Sequence, residues 1–155
     1  MKGLLNWDMK DIILKIIGKK IENDLKKYGE SLDDQVEFIT EGRFYKRGNS
    51  FYLVYDETDP DGFEDVTTSL KITGDKIKMK RYGDELGIET AIEFEIGKRY
   101  NGVYDTPYGP FEMEVLTNDI KNNILNVGEG SLDIDYDISL KGLSEGRNML
   151  KIEIM

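Results

Sequence analysis

From Gln35 onward, apolar and polar positions alternate along the chain with a period of two. Phe51, Leu53 and Tyr55 interleave with Tyr52, Val54 and Asp56, and Leu132, Ile134, Tyr136, Ile138 and Leu140 with Asp133, Asp135, Asp137 and Ser139. The same alternation runs through Val36–Thr40, Val66–Ile72, Ile77–Arg81, Ile88–Phe94, Phe111–Val115 and Leu150–Ile154. Successive side chains of a strand point to opposite faces, so one apolar and one polar set marks a strand half buried in an antiparallel sheet. Turn residues separate the runs: Gly48-Asn49, Thr73-Gly74-Asp75, Gly83-Asp84, Gly97, Gly128-Glu129-Gly130 and Gly146. Strand, short turn, strand in this rhythm predicts an all-β meander, stacked as a sandwich or closed as a barrel. A single antiparallel up-and-down barrel is favoured, because closure removes the exposed edges of so many strands. No repeat, linker or low-complexity tract divides residues 1–155, which predicts one domain.

The first thirty residues fit two patterns. Ile13, Ile16, Ile17, Ile21, Leu25 and Tyr28 fall at helical spacing. Yet Ile12-Ile13-Leu14 and Ile16-Ile17, bounded by Gly18, suit a strand that is apolar on both faces. The reading favours a strand from about Asp11 to Ile21, then a loop or short helix through Gly29. Ile13, Ile17 and Ile21 then face away from the interior and need cover. Leu4, Leu5 and Trp7 of the leading residues 1–8 are one source of it, and a second copy is the other. The second option predicts a homodimer through the N-terminal strand.

Composition narrows the chemistry. The chain has 39% apolar and 34% charged residues, an ordinary soluble balance. Its 31 acids and 21 bases leave a formal charge of −10, which opposes nucleic acid and anionic membranes as partners. Two basic clusters run against that balance: Lys19, Lys20, Lys26 and Lys27, then Lys76, Lys78, Lys80 and Arg81. In sequence both lie among acids and without the aromatics of a stacking platform, so no nucleic-acid partner is expected. The absence of Cys and His removes thiolate nucleophiles, imidazole bases and Cys/His zinc sites together. No cofactor is expected. No signal peptide is read at the start of the chain, so a cytoplasmic location is the expectation.

Among the acids, Glu57-Thr-Asp59-Pro-Asp61-Gly62 echoes a calcium loop. The echo fails: Glu57 stands where Asp is needed, Pro60 occupies the fourth position, and Thr68 replaces the closing Glu. Asp133, Asp135 and Asp137 line one face of one strand, about 6.6 Å apart, and read as a solvated outer face before an acid/base pair. Gly83, Gly87, Gly128 and Gly130 form no phosphate loop, since none opens a helix after a strand.

Arg81 carries the best functional signal. It shares a face with Ile77 and Met79, so alternation turns a guanidinium toward the interior, where it must find an anion. The anion is either a protein carboxylate or the head of an amphipathic ligand. Tyr55, Thr68, Thr90, Asn101 and Tyr136 are expected on the same inward faces, and a few polar groups among apolar ones is the composition of a small-molecule site.

The order of segments is also familiar. "FITEGRFYKRGNSFYLVYDE", "VTTSLKITGDKIKMKRYG", "FEIGKRYNGVYDTPYGPFEMEVLT" and "GSLDIDYDISLKG", closing with "NMLKIEI", resemble the YwiB-like family of small bacterial proteins of unknown function. The resemblance runs from about Met9 to Ile154 and rests most on the TEGxxYKxG and YxTPYG stretches. It implies a calycin-type, lipocalin-like barrel of about eight to ten strands, and no enzyme activity, cofactor or catalytic residue. Residues 1–8 look like an extension, and Glu22–Ser31 departs from the family pattern. Within YDTPYG, Pro107 and Gly109 supply turn chemistry between a strand ending near Tyr104 and another starting near Phe111.

Three functions compete. The first is a barrel that binds a small amphipathic or anionic ligand in its interior. The second is a filled barrel that serves as an interaction or scaffold module, motivated by bulky inward residues such as Phe51, Phe94 and Met113. The third and weakest is an acid–base enzyme built on paired carboxylates.

Overall fold

Each alternating run of the sequence forms a strand. The computed structural model describes residues 9–21, 33–58, 65–83, 89–106, 109–141 and 144–155. Ten strands result: β1 (Met9–Ile21), β2 (Asp33–Arg47), β3 (Ser50–Thr58), β4 (Asp65–Thr73) and β5 (Lys76–Gly83), then β6 (Glu89–Glu95), β7 (Arg99–Thr106), β8 (Gly109–Asn122), β9 (Gly130–Leu140) and β10 (Ser144–Ile154). The described residues contain no helix. Residues 1–8, Glu22–Ser31, most of the calcium-like stretch, and Pro107 and Tyr108 lie outside the described residues.

All ten strands join one antiparallel sheet in the order β6-β5-β4-β3-β2-β1-β10-β9-β8-β7. Among the described residues, strands consecutive in sequence pair with one another except β6 and β7, and β1 pairs in addition with β10. The strand reading of the N-terminal segment holds, and β1 is central. Ile16 faces Phe38 on one side and Ile152 on the other, so both edges of β1 are consumed by ladders. The two ends of the sheet are β6 and β7, consecutive in sequence and tied by a turn. Lys98 N donates to Glu95 O (3.0 Å), and Gly97 N donates to Thr117 O (2.9 Å). No ladder between β6 and β7 appears among the described residues, so the sheet is a barrel closed except at this seam.

Alternation decides the core. Ile12, Leu14 and Ile16 of β1 point inward, while Ile13 lies on the outer face. Leu53, Leu70, Ile72, Ile77, Phe94, Met113, Val115, Leu132, Ile134 and Ile152 join them with essentially no accessible surface. Burying a single such side chain is worth about 1.5–3 kcal/mol, which is what holds alternating strands in this register.

The hairpins at Gly48-Asn49 and Gly74-Asp75, the 96–98 turn and the 123–129 connection lie at one end of the barrel, as antiparallel pairing requires. The 123–129 segment closes that end: Ile124 is buried, Leu125 N donates to Glu129 O (2.8 Å) and Lys10 Nζ donates to Val127 O (3.0 Å). Two glycines make the closure fit. Gly128 (φ 77°) lies flat on the Phe44 ring, where an added Cβ would stand 2.9 Å from Cδ1, and a Cβ on Gly130 (φ 115°) would overlap the Asn123 carbonyl. At the opposite end, the β7–β8 ladder runs on to Thr106 and Gly109, two residues further on each strand than turn chemistry suggested.

Candidate functional site

Tyr55, Thr68, Arg81 and Thr90 stand side by side on one rung across β3, β4, β5 and β6. Sequence alternation turned all four inward, and the structure agrees for each. Tyr55, Thr68 and Thr90 are buried. The rung lies close to the second end of the barrel, since β3 and β4 close their pairing at Thr58 and Asp65.

Arg81 finds a protein carboxylate. Its Nη2 donates to Glu57 Oε2 at 2.6 Å. The Arg81 side chain keeps 40% of its surface and Glu57 21%, so the pair sits at the barrel mouth with water on one side. Glu57 shares the inward parity of Tyr55 on β3 but comes from a strand not adjacent to β5, which is why its role was not legible beforehand.

Tyr136 approaches from β9 and packs its ring against Phe94, centroids 4.9 Å apart and tilted by 60°. Burial raises the Tyr136 phenol above its ordinary pKa, with the Arg81 charge working against the shift. Burial raises Tyr55 further, helped by the Glu57 carboxylate and opposed by Arg81. Both rings are held neutral as hydrogen-bonding phenols, and neither is poised as a base.

Asn101 does not belong to this group. It is exposed on the outer face, opposite Glu114, while Tyr100 turns inward. The local pattern Tyr-Asn-Gly-Val misleads because Gly102 carries no side chain and apolar Val103 shares the parity of Asn101. Burial of the large Tyr100 ring against the core outweighs that of Val103, which is left half-exposed.

Among the described residues, two buried hydroxyls on the inner face, Thr68 Oγ1 and Thr117 Oγ1, find no hydrogen-bond partner. Thr68 is close enough to ease ionisation of Tyr55, yet the two hydroxyls do not meet in the geometry of a hydrogen bond. An open groove of about 770 Å³ lies elsewhere, its charged lining made of the cations Lys10 and Arg43 and the carboxylates Asp11, Glu41, Asp56 and Glu129. It meets the inner rung only at Tyr55. The Asp133, Asp135 and Asp137 row is an outer face, as expected. Arg147 grips Asp135 through Nε (2.9 Å) and Nη2, and that hydrogen bonding holds the Asp135 carboxyl below its usual range. The described residues contain no cluster of acids arranged to hold a metal.

A domain family described as "Domain of unknown function (DUF1934)" matches residues 20–152. No curated protein matches the chain. Among solved structures, the YwiB protein from Bacillus subtilis is similar over 99% of each chain, with 22% identity and a TM-score of 0.70. At that identity the likeness is one of fold, and it agrees with the family resemblance carried by the TEGxxYKxG and YxTPYG stretches.

Proposed function

The chain belongs to the DUF1934 family, and on that footing we infer that it is a calycin-like binding module that works through its outer surface rather than a carrier that encloses its ligand. One observation supports the reading. Leu14, Leu53, Leu70, Ile72, Ile77 and Phe94, which line the interior from β1 through β6, retain less than 2% of their accessible surface. A void wide enough for water beside any of them would leave surface on its lining, and a small-molecule cavity of roughly 300 Å³ or more would leave much more. Small barrels are commonly filled by their own side chains. Arg81 supports the same view, since its guanidinium is already paired with Glu57.

A second reading has one observation in its favour. The unpaired Thr68 hydroxyl and the half-exposed Arg81 share a rung at the mouth, where the head of a small anion would meet both. Native mass spectrometry of the purified chain, followed by displacement of a fluorescent fatty acid, separates the two. The module reading predicts the bare chain mass and no displacement. A co-purifying amphiphile, lost in Arg81→Met, would replace it with the carrier reading.

A further inference from the structure

We propose that two copies of this chain meet through the outer face of β10, β1 and β2, related by a two-fold axis that runs across the strands between Lys15 and Ile17. The proposal stands apart from the module reading, because such a dimer forms whether or not the interior takes a ligand.

The face has an exposed apolar part. Ile13 and Ile17 on β1 are joined there by Ile39 on β2 and by Met149 and Met155 on β10. Ile39 and Met155 keep 61% and 67% of their surface, and Ile13 keeps 46%. Alternation alone turns Ile13 and Ile17 outward and leaves them in need of cover. The fold gathers three more apolar side chains around them instead of covering them, and such a cluster on a chain rich in charge marks a contact surface.

The charges between these positions select the partner. Lys15, Lys19 and Lys151 stand with Glu37, Glu41 and Glu153, three cations and three anions, so this part of the face is neutral in a chain of net charge −10. Lys15 is paired with Glu37 (2.9 Å) and Lys151 with Glu153 (3.3 Å). A polyanion, a polycation or an anionic membrane meets no net field here. A second copy, itself strongly acidic, can approach this face without net repulsion. Asp56 on β3 and Asp133 and Asp135 on β9 border the face, and the curvature of the barrel carries those strands back from a facing partner.

The face is also complementary to itself. The outward order along β10 is Met149, Lys151, Glu153, Met155: apolar at both ends, with opposite charges in the middle. A two-fold across the strands at the midpoint sets Met155 against Met149 of the second copy and Glu153 against Lys151 of the second copy, and symmetry makes each contact twice. The same axis lays Ile13 and Ile17 on the alkyl stems of Lys19 and Lys15 of the second copy and brings its Gln35 amide to Glu41. Ile39 falls beside Ile17 of the second copy. An axis along the strands would instead stack Lys15 on Lys15 and Lys19 on Lys19. Two convex faces three strands wide make a contact at the small end of specific interfaces, so the dimer is expected at micromolar concentrations.

The test is sedimentation velocity of the full chain at about 150 mM salt, where a Debye length of about 8 Å screens the overall repulsion. A range of roughly 5–500 µM brackets a micromolar Kd, and the mean mass should climb from monomer toward dimer across it. Ile39→Lys should weaken association at least ~10-fold. Val103→Lys, at another exposed apolar residue but on β7, should leave it within ~2-fold. Lys151→Glu and Glu153→Lys should each weaken association at least ~10-fold, because each sets like charges against one another twice. Mixed one to one, these two variants should associate with each other to within ~3-fold of the parent, since each supplies the charge the other needs. Ion pairs made only within one copy gain nothing from mixing.

A chain that stays monomeric through the whole range overturns the proposal. So does equal weakening by Val103→Lys, or a mixture that associates no better than its parts. Trp7, the single tryptophan, reports a different occupant. A monomeric chain whose Trp7 emission shifts to the red in Ile39→Lys gives the face to residues 1–8 in place of a second copy. None of these results bears on the interior, which the displacement experiment tests separately.

Discussion

Replacing Thr68 with Val tests the packed interior directly. Thr68 is 1% exposed, stands between Tyr55 and Arg81 on the rung, and its Oγ1 has no hydrogen-bond partner among the described residues. A buried hydroxyl that gives up water and gains nothing costs about 1–3 kcal/mol by protein mutational measurements. Valine has nearly the same shape and the same β-branched stiffness, so it removes the penalty and leaves no cavity. Thr68→Val should therefore stabilise the chain by about 1–2 kcal/mol, taking the lower part of that range for relaxation around the site. With an unfolding entropy of about 2.1 cal/mol/K per residue, the melting temperature should rise by about 3–6 °C. Urea denaturation with a matched m-value, and calorimetry, are the measurements. Thr117→Val, at the second unpaired hydroxyl, should move the same way. A loss of 1 kcal/mol or more in Thr68→Val would refute the reasoning, since the hydroxyl would then have a partner in solution, whether Tyr55, a buried water or a ligand. The Tyr55→Phe/Thr68→Val cycle assigns it: coupling between the two substitutions identifies Tyr55.

Three further outcomes are expected. Arg81→Met should cost at most about 1 kcal/mol in urea denaturation, because the Glu57 pair is open to water at the mouth, whereas a loss near 3 kcal/mol would mean a fully desolvated pair. Tyr55 is favoured as the neutral phenol in the fold, so above the ordinary tyrosine pKa of 10.0 the unfolded chain releases its proton first. Stability should then fall as pH rises through the alkaline range, and Tyr55→Phe should flatten that fall; equal slopes in both proteins would show that the phenol is not the cause. Gly130→Ala should destabilise the chain by more than Gly128→Ala, because its Cβ meets the rigid Asn123 carbonyl while the Phe44 ring beside Gly128 can turn. The backbone term alone is about 1–2 kcal/mol, and thermal melts of the two variants give the order.

Much of this protein is decided by short-range chemistry. A period of two assigns each side chain to a face without reference to distant residues, which is why nearly all the inward positions, among them Tyr55, Thr68, Thr90 and Arg81, could be read from the chain. The same property made the N-terminal segment legible, once the β-branched pairs at Ile12-Ile13 and Ile16-Ile17 outweighed the helical spacing. Where a residue has no side chain, parity falls silent, and Asn101 beside Gly102 was assigned to the wrong face. Alternation fixes a face but never a neighbour, because any antiparallel register that keeps the apolar set inside satisfies it. Which strands meet is settled by long-range pairing, and four features depend on it. These are the β1–β10 ladder that joins the chain ends, the seam between β6 and β7, the reach of Glu57 to Arg81, and the gathering of Ile39, Met149 and Met155 around Ile13 on the outer face. The sum of charges behaves likewise: −10 is a property of the composition, but a ligand feels the few charges within a Debye length, and only the folded sheet decides which those are.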